Sequence, residues 1–447
     1  MLKSPAPVLL LHQLLQEGAP VCTDSRDARE GSIFFALKGE VFDGNRFAEA
    51  ALKAGCRLAV IDDPKQQKGP GYLLVDSVLQ TLQELGARHR QRFLIPVLGI
   101  TGTNGKTTTK ELVHAVLSSH FQAVATRGNL NNHIGVPLTL LELNDPAEVA
   151  IVEMGANHLG EIASLCQIAE PTHGLITNIG KAHLEGFGSL ENIARAKAEL
   201  YRHLEAHNGQ LFVNGDNELL LRLAGKANMI KYGKQAENHC QGQIEKPFPF
   251  LETSFMVNRA FGKAAEGMQG HIRSKLTGAY NFENIMAAVA VGLYFGVPAR
   301  AVARAIESYE PGNHRSQVIQ TEHNTVIMDA YNANPTSMEA ALENFSNFGQ
   351  ERTAVFLGDM LELGETEEEE HRKILRMAAG QGFTRLVLVG QAFSRIASET
   401  PDLPQSCSWF ADSKQAAKAL ASSPISGYNV LVKGSRGIRM EQLLKHL

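Results

Sequence analysis

Cysteine is scarce in this 447-residue chain: the five thiols, Cys22, Cys56, Cys166, Cys240 and Cys407, lie far apart and include no C-x-x-C pair. That spacing excludes a zinc framework and a disulfide scaffold, and it fits a reducing compartment. Charge of either sign is barely in excess, with a formal net of -4 and no long basic run. Nothing electrostatic therefore points to nucleic acid. Long apolar runs are missing too. The longest candidate, residues 286–297, is interrupted by Gly292 and Gly296 and is far short of the roughly 20 residues a membrane helix needs. The first residues carry one lysine, then Pro5 and Pro7, and their apolar run ends at His12, too weak a pattern for a signal peptide. Internal repeats and low-complexity linkers are also absent. The expectation is a cytoplasmic protein with no nucleic-acid partner and no stable membrane association, acting as a monomer.

What is present is length and rhythm. A chain of this size exceeds one ordinary core, and about 150 residues per domain suggests three domains. Short strand-like pieces at 32–37 and 58–61, a helical stretch after Phe47 and a polar helical run at 79–92 make up the first part. From Phe93 onward, apolar runs at 95–100, 149–153, 174–178 and 210–213 alternate with helical stretches. Continuous apolar strands separated by helices indicate a parallel sheet covered on both faces. Residues 250–276 alternate more and suggest an antiparallel excursion. After Pro311-Gly312 the α/β rhythm resumes, with strands expected at 325–328, 354–357, 386–389 and 430–432. Between the second and third of these, Thr366 and Glu369 have capping-box spacing, and the acidic run 367–370 reads as a solvated helix start. The divisions expected are 1–92, 93–312 and 313–447.

The strongest local signal is Gly99-Ile-Thr-Gly102-Thr103-Asn104-Gly105-Lys106-Thr107-Thr108. It follows an apolar strand and precedes a helical stretch. Glycines let backbone N–H groups converge on an anion, and the helix start adds partial positive charge. Lys106 can reach terminal phosphates and Thr107 can offer its hydroxyl to magnesium. Ile100 stands where the full Walker pattern has its first glycine, so this is a shorter variant.

This loop resembles that of the Mur ligases and their relative folylpolyglutamate synthase. Further segments resemble the family in order along the chain: Glu153-Met-Gly155, Thr177-Asn178-Ile-Gly180-x-Ala-His183, Asn281-x-x-Asn284, and Asp329. Three others, Asp329-Ala-Tyr-Asn332-Ala-Asn334-Pro-x-Ser337, Leu357-Gly-Asp-Met-Leu-Glu-Leu-Gly364 and Lys433-Gly-Ser-Arg436, resemble its D-alanyl-D-alanine-adding branch. The resemblance implies an α/β fold of three domains: a UDP-substrate-binding domain, a central doubly wound P-loop ATPase domain with a mostly parallel sheet, and a C-terminal Rossmann-like domain. It implies ATP-dependent ligation of D-alanyl-D-alanine to UDP-N-acetylmuramoyl-tripeptide through an acyl phosphate.

The same resemblance implies roles. Gly102 to Thr108, Asn281, Arg315 and Asp329 would bind ATP. Thr107, Glu153, His183 and Lys197 would serve Mg2+, with Lys197 carbamylated, and Lys106, Lys197 and His183 would be catalytic. Ser25, Arg26, Asp43, Asn129, Asn132, Asn332 and Asn334 would bind substrate. Arg315, in Gly312-Asn-His-Arg315, stands two residues later than the family's usual arginine, and Tyr280 replaces a common histidine and receives no role.

Plainer readings stand beside these. Glu153 closing a strand could be a polar exit to solvent, and His183 a surface or core histidine. Asn281 or Asn284 could cap the alanine-rich helix that follows. Lys197 falls in an apolar stripe between Ile193 and Tyr201, without an acid at i±3 or i±4, so it could simply snorkel. Another amide ligase of the family and a nucleotide-gated regulatory protein remain the rival functions.

Overall fold

The computed structural model describes residues 6–312, 315–347 and 352–447; Asn313 and His314 of the shifted arginine motif lie outside them. Three sheets carry the chain. The first is parallel, with strands in the order Val21–Cys22, Ile33–Phe35, Leu58–Ile61 and Tyr72–Leu74. The second has nine strands. Its parallel part runs Cys240–Lys246, Met229–Gly233, Gln210–Asn214, His173–Ile176, Val97–Thr101, Val149–Glu153, Ala123–Ala125. Glu252–Val257 and Gln269–Arg273 extend it antiparallel, as the alternating pattern of 250–276 suggested. The third sheet runs Gln317–Gln320, Thr325–Asp329, Asn429–Lys433, Thr353–Gly358, Arg385–Val389, Cys407–Phe410, and only its first strand is antiparallel.

Apolar side chains alternate to both faces of each sheet, which explains the unbroken apolar runs. In the central sheet, Leu98 and Ile100 pack beneath the helix Asn281–Phe295, while Val97 and Val152 face the helices Glu161–Ala169 and Leu190–Ala206. The phosphate loop leaves the carboxyl end of Val97–Thr101, held between Val149–Glu153 and His173–Ile176. Ligands of open α/β sheets bind at such carboxyl ends. Among the described residues no helix is long and apolar enough to cross a membrane, and all five cysteines are free.

Local signals misled in three places. Thr366 does not cap: its backbone is already helical, so its hydroxyl donates back to Leu363 O at 2.8 Å and the capping box is not formed. The acidic run is not wholly solvated, because Glu370 is 3% exposed. Neither Asn281 nor Asn284 caps the helix Asn281–Phe295. Asn281 Nδ2 donates to Thr277 O at 2.7 Å, and Asn284 Oδ1 accepts from Thr109 Oγ1 at 3.0 Å, tying that helix to the phosphate-loop helix.

His12 and His89 are both buried, edge to face, where the first helix meets Val78–Arg90. Burial, then the neighbouring His89, lowers the His12 pKa from 6.5 to about 4. The folded protein thus disfavours the cation, so its contribution to stability is complete above about 6.5 and is lost as pH falls toward 4. Urea midpoints should therefore fall between pH 7.5 and pH 5, and His12→Phe should flatten that slope. An unchanged slope would remove His12 as its source.

Candidate active site

Gly102 (φ +143°) and Gly105 (φ +77°) bend the chain from strand to helix, and a Cβ on Gly102 would lie 2.0 Å from Thr177 Oγ1. Glycine is required there by both backbone angle and space. The loop is braced from the neighbouring strand end. Thr177 Oγ1 donates to Asn104 O at 2.6 Å, Asn178 Oδ1 accepts from Asn104 N at 2.9 Å, and Thr103 Oγ1 accepts from Gly180 N at 3.0 Å. The strand expected at 174–178 stops at Ile176 because the next two residues turn to this task.

Lys106 opens the helix Lys106–Ser118, and its Nζ curls over the loop to donate to Gly102 O at 2.7 Å and Thr103 O at 3.0 Å. Burial pulls its pKa down, Glu153 opposes that, and Arg315 adds to it. All three groups therefore share one electrostatic environment.

Glu153 is 1% exposed. Its Oε1 accepts from Asn131 Nδ2 at 2.7 Å and from Thr107 Oγ1 at 3.2 Å, while Oε2 is buried without a hydrogen-bond partner. A buried carboxylate oxygen left open is costly unless a cation or donor meets it. Beside the hydroxyl of Thr107 this donor set fits Mg2+, which takes one or two protein oxygens and keeps waters. No group of three His, Cys, Asp or Glu suited to a metal occurs among the described residues.

His183, in left-handed backbone, points Nδ1 at the carboxylate of Glu362 from the C-terminal sheet's side. Lys197 does not snorkel: it is 2% exposed, with Nζ 3.3 Å from Ala156 O and 5.2 Å from the Phe187 ring centroid. Burial, then repulsion from Lys106, lowers its pKa to about 7. It lies under the floor of the cleft, which Ala156 lines.

Across the cleft, Asp329 Oδ2 accepts from Lys433 Nζ at 2.6 Å, and its Oδ1 accepts from Ser316 N at 3.2 Å. The Arg315 guanidinium lies 3.6 Å over the Tyr331 ring, with Arg436 at 5.2 Å. Tyr280 is tied to Ser316 Oγ at 2.8 Å, and burial raises its pKa.

The cleft has a volume of about 1040 Å³. It brings together Thr103 to Thr108, Glu153, His183 and Asn281 with Arg315, Asp329, Asn332 and Asn334 from the far side, and Asn129 and Asn132 at one end. Gly102 does not line the cleft and marks the bend from strand to loop. Ser25, Arg26 and Asp43 do not line it. Arg26 is exposed and paired with Asp24, and Asp43 accepts from Asn45 N at 3.0 Å in a local turn. Several of the asparagines have structural work. Asn132 Oδ1 accepts from Gly135 N at 3.0 Å, and Asn334 caps the helix Pro335–Ser346 while its Nδ2 donates to Asn104 Oδ1 at 2.8 Å.

Sequence reasoning missed Asn131, the Thr177-Asn178 brace, Tyr331 and Lys110. Lys110 is 1% exposed, and its Nζ donates to Thr126 O at 2.6 Å, anchoring the start of the loop that carries Asn131. The one available signal was position, since Asn131 lies between Asn129 and Asn132 and Lys110 falls one helical turn after Lys106.

Three family models match in order: "Mur ligase family, catalytic domain" over residues 19–97, "Mur ligase middle domain" over 100–292, and "Mur ligase, glutamate ligase domain" over 314–436. The UDP-N-acetylmuramoyl-tripeptide--D-alanyl-D-alanine ligase of Bacillus subtilis is 34% identical, covering 96% of this chain and 92% of that protein. The Escherichia coli protein of the same name is 32% identical, covering 96% and 93%. Among solved structures, MurF from Acinetobacter baumannii superposes with a TM-score of 0.85 at 31% identity, covering 97% of both chains. MurF from Thermotoga maritima in complex with ADP gives 0.82 at 26% identity, again covering 97% of both.

Proposed function

Because this chain belongs to the Mur ligase family, we propose that it joins D-alanyl-D-alanine to UDP-N-acetylmuramoyl-tripeptide at the expense of ATP, in cytoplasmic peptidoglycan precursor synthesis. The observation that carries this reading is the open Glu153 carboxylate oxygen beside Thr107 and Lys106, in a cleft walled on its far side by Arg315 and Asp329.

An amide cannot form readily from a free carboxylate, because hydroxide is a poor leaving group. A carboxylate oxygen of the tripeptide attacks the γ-phosphorus of ATP, ADP departs, and an acyl phosphate results. The neutral amine of D-alanyl-D-alanine then attacks the acyl carbon, loses a proton and expels inorganic phosphate. An α-amino pKa of about 7.7–8.0 leaves enough neutral amine without a dedicated base. The chain's task is to hold anions together and exclude water.

Lys106 and the loop N–H groups hold the terminal phosphates, Arg315 adds a cation opposite, and Asp329 holds the nucleotide's ribose. Glu153 and Thr107 would hold Mg2+, which when bound offsets phosphate charge, with His183 toward a second ion. Lys197 is carbamylated in this reading. Its lowered pKa supplies the neutral amine that attacks carbon dioxide, forming an N–C bond and releasing a proton.

The divisions 1–92, 93–312 and 313–447 correspond to UDP-substrate binding, ATP chemistry and entry of the amine. Asn129 and Asn132 face the UDP substrate from the central domain, and Asn332 and Asn334 from the third. Ser25, Arg26 and Asp43 recognise the UDP end, away from the cleft. Arg26→Ala should weaken binding of the UDP substrate and leave ATP affinity intact by calorimetry; a fall in ATP affinity instead would overturn this division of labour. The reaction itself is tested by mass spectrometry of the product formed from ATP, UDP-muramoyl tripeptide and D-alanyl-D-alanine. Absence of the pentapeptide product would sink the assignment.

A further inference from the structure

Glu370 lies in the first turn of the helix Glu367–Gly380, in a run of four glutamates, and is 3% exposed. A carboxylate that deep is costly without a partner. Lys373, one turn on, is taken by Glu339 at 2.6 Å. The hydrogen bond to Glu370 comes from the central domain: Lys181 Nζ donates to Glu370 Oε1 at 2.6 Å, and Oε2 has no partner among the described residues.

Lys181 sits in a segment fixed at both ends. Toward the phosphate loop, Thr177, Asn178 and Gly180 hold Thr103 and Asn104 by the bonds described above. Toward the C-terminal domain, Lys181 N donates to Thr336 Oγ1 at 3.1 Å, and Glu185 N donates to Glu362 O at 3.3 Å. Gly180 touches both sides, since a Cβ there would meet Thr336 Oγ1 at 2.8 Å. Residues 177–185 are thus a strap with the phosphate loop on one edge and the third domain on the other.

We propose that Lys181 and Glu370 are positioning residues forming a latch that holds the C-terminal domain against the phosphate loop through this strap. Closure gives the buried carboxylate its cation, and opening takes it away. The ion pair therefore favours the arrangement in which Arg315 and Asp329 face Lys106. The strap makes loop geometry depend on that closure, so chemistry awaits the third domain. The kinetic part of this proposal rests on the ligase reading; the conformational part does not.

Lys181→Met should lower kcat and raise KM for D-alanyl-D-alanine by roughly tenfold in combination. That is less than for a fully buried pair, because the Lys181 side chain is 46% exposed. The ATP dissociation constant should rise by no more than the same factor, because Arg315 and Asp329 meet the nucleotide only on closure while the loop's own phosphate contacts are kept. Lys181→Arg should restore most of the activity. Small-angle X-ray scattering with a non-hydrolysable ATP analogue and the UDP substrate should give a larger radius of gyration for Lys181→Met than for wild type. Equal radii with either normal or reduced activity would overturn the latch. A wild type that compacts but forms no amide would overturn the ligase reading instead, leaving the comparison of radii to decide the latch.

Discussion

Lys106→Ala should lower amide formation by at least roughly 10²–10³-fold, the loss typical of removing one preorganised charge stabiliser. The lysine is positioned by its neighbours: Gly105 turns the chain in left-handed backbone, and the Nζ is held by the carbonyls of Gly102 and Thr103. Burial lowers its pKa in the free protein. Incoming phosphates reverse that balance, so the ammonium is strongest when nucleotide is present. Lys106→Arg should not restore activity, because a planar guanidinium cannot occupy the turn that the compact ammonium fills. The measurement is phosphate release at saturating ATP, with amide product quantified in parallel. Near-normal turnover would remove this loop from the chemistry.

Lys197→Ala should be almost as severe while leaving the fold intact. An unmodified ammonium at this position is disfavoured by burial first and by the charge of Lys106 second. A carbamate replaces that repulsion with a negative group of the kind magnesium accepts. Short carboxylic acids added to Lys197→Ala should restore part of the activity by filling the vacated space. Lys197→Arg should not, since it keeps the wrong sign. Full activity of Lys197→Arg in carbonate-free buffer would end the idea.

Much of this site was legible because its residues close or follow apolar strands, where sequence pattern and topology agree. Glu153 and the phosphate loop lie at carboxyl ends of the central sheet, and Asp329 at a carboxyl end of the third sheet across the cleft. Less legible were polar groups whose partners are remote in sequence. Asn284 has the spacing of a cap, yet it bonds to Thr109, 175 positions away. Glu370 looks like one more solvated glutamate until a lysine 189 positions away meets it. Thr366 failed differently: the short 3-10 turn before it made its backbone helical too early to cap. Buried lysines were hard to read for a related reason. Lys197 in an apolar stripe allowed a snorkelling reading, but its Nζ finds a carbonyl inside; Lys110, which drew no reading from sequence, does the same.

The third sheet also dictates an order of manufacture. Its strand Asn429–Lys433 is inserted between Thr325–Asp329 and Thr353–Gly358, so those two strands never pair directly and are joined only once this strand is in place. The first sheet closes within residues 21–74 and the nine strands of the second within 97–273, so both can be assembled while translation continues. On a ribosome, the third must wait with exposed strand edges, which is when aggregation and chaperone capture compete with folding. The partner of Asp329, Lys433, is delivered by the same late strand. A nascent chain would therefore hold a folded phosphate loop well before it holds a complete cleft, and would gain the latter only once Asn429–Lys433 has emerged.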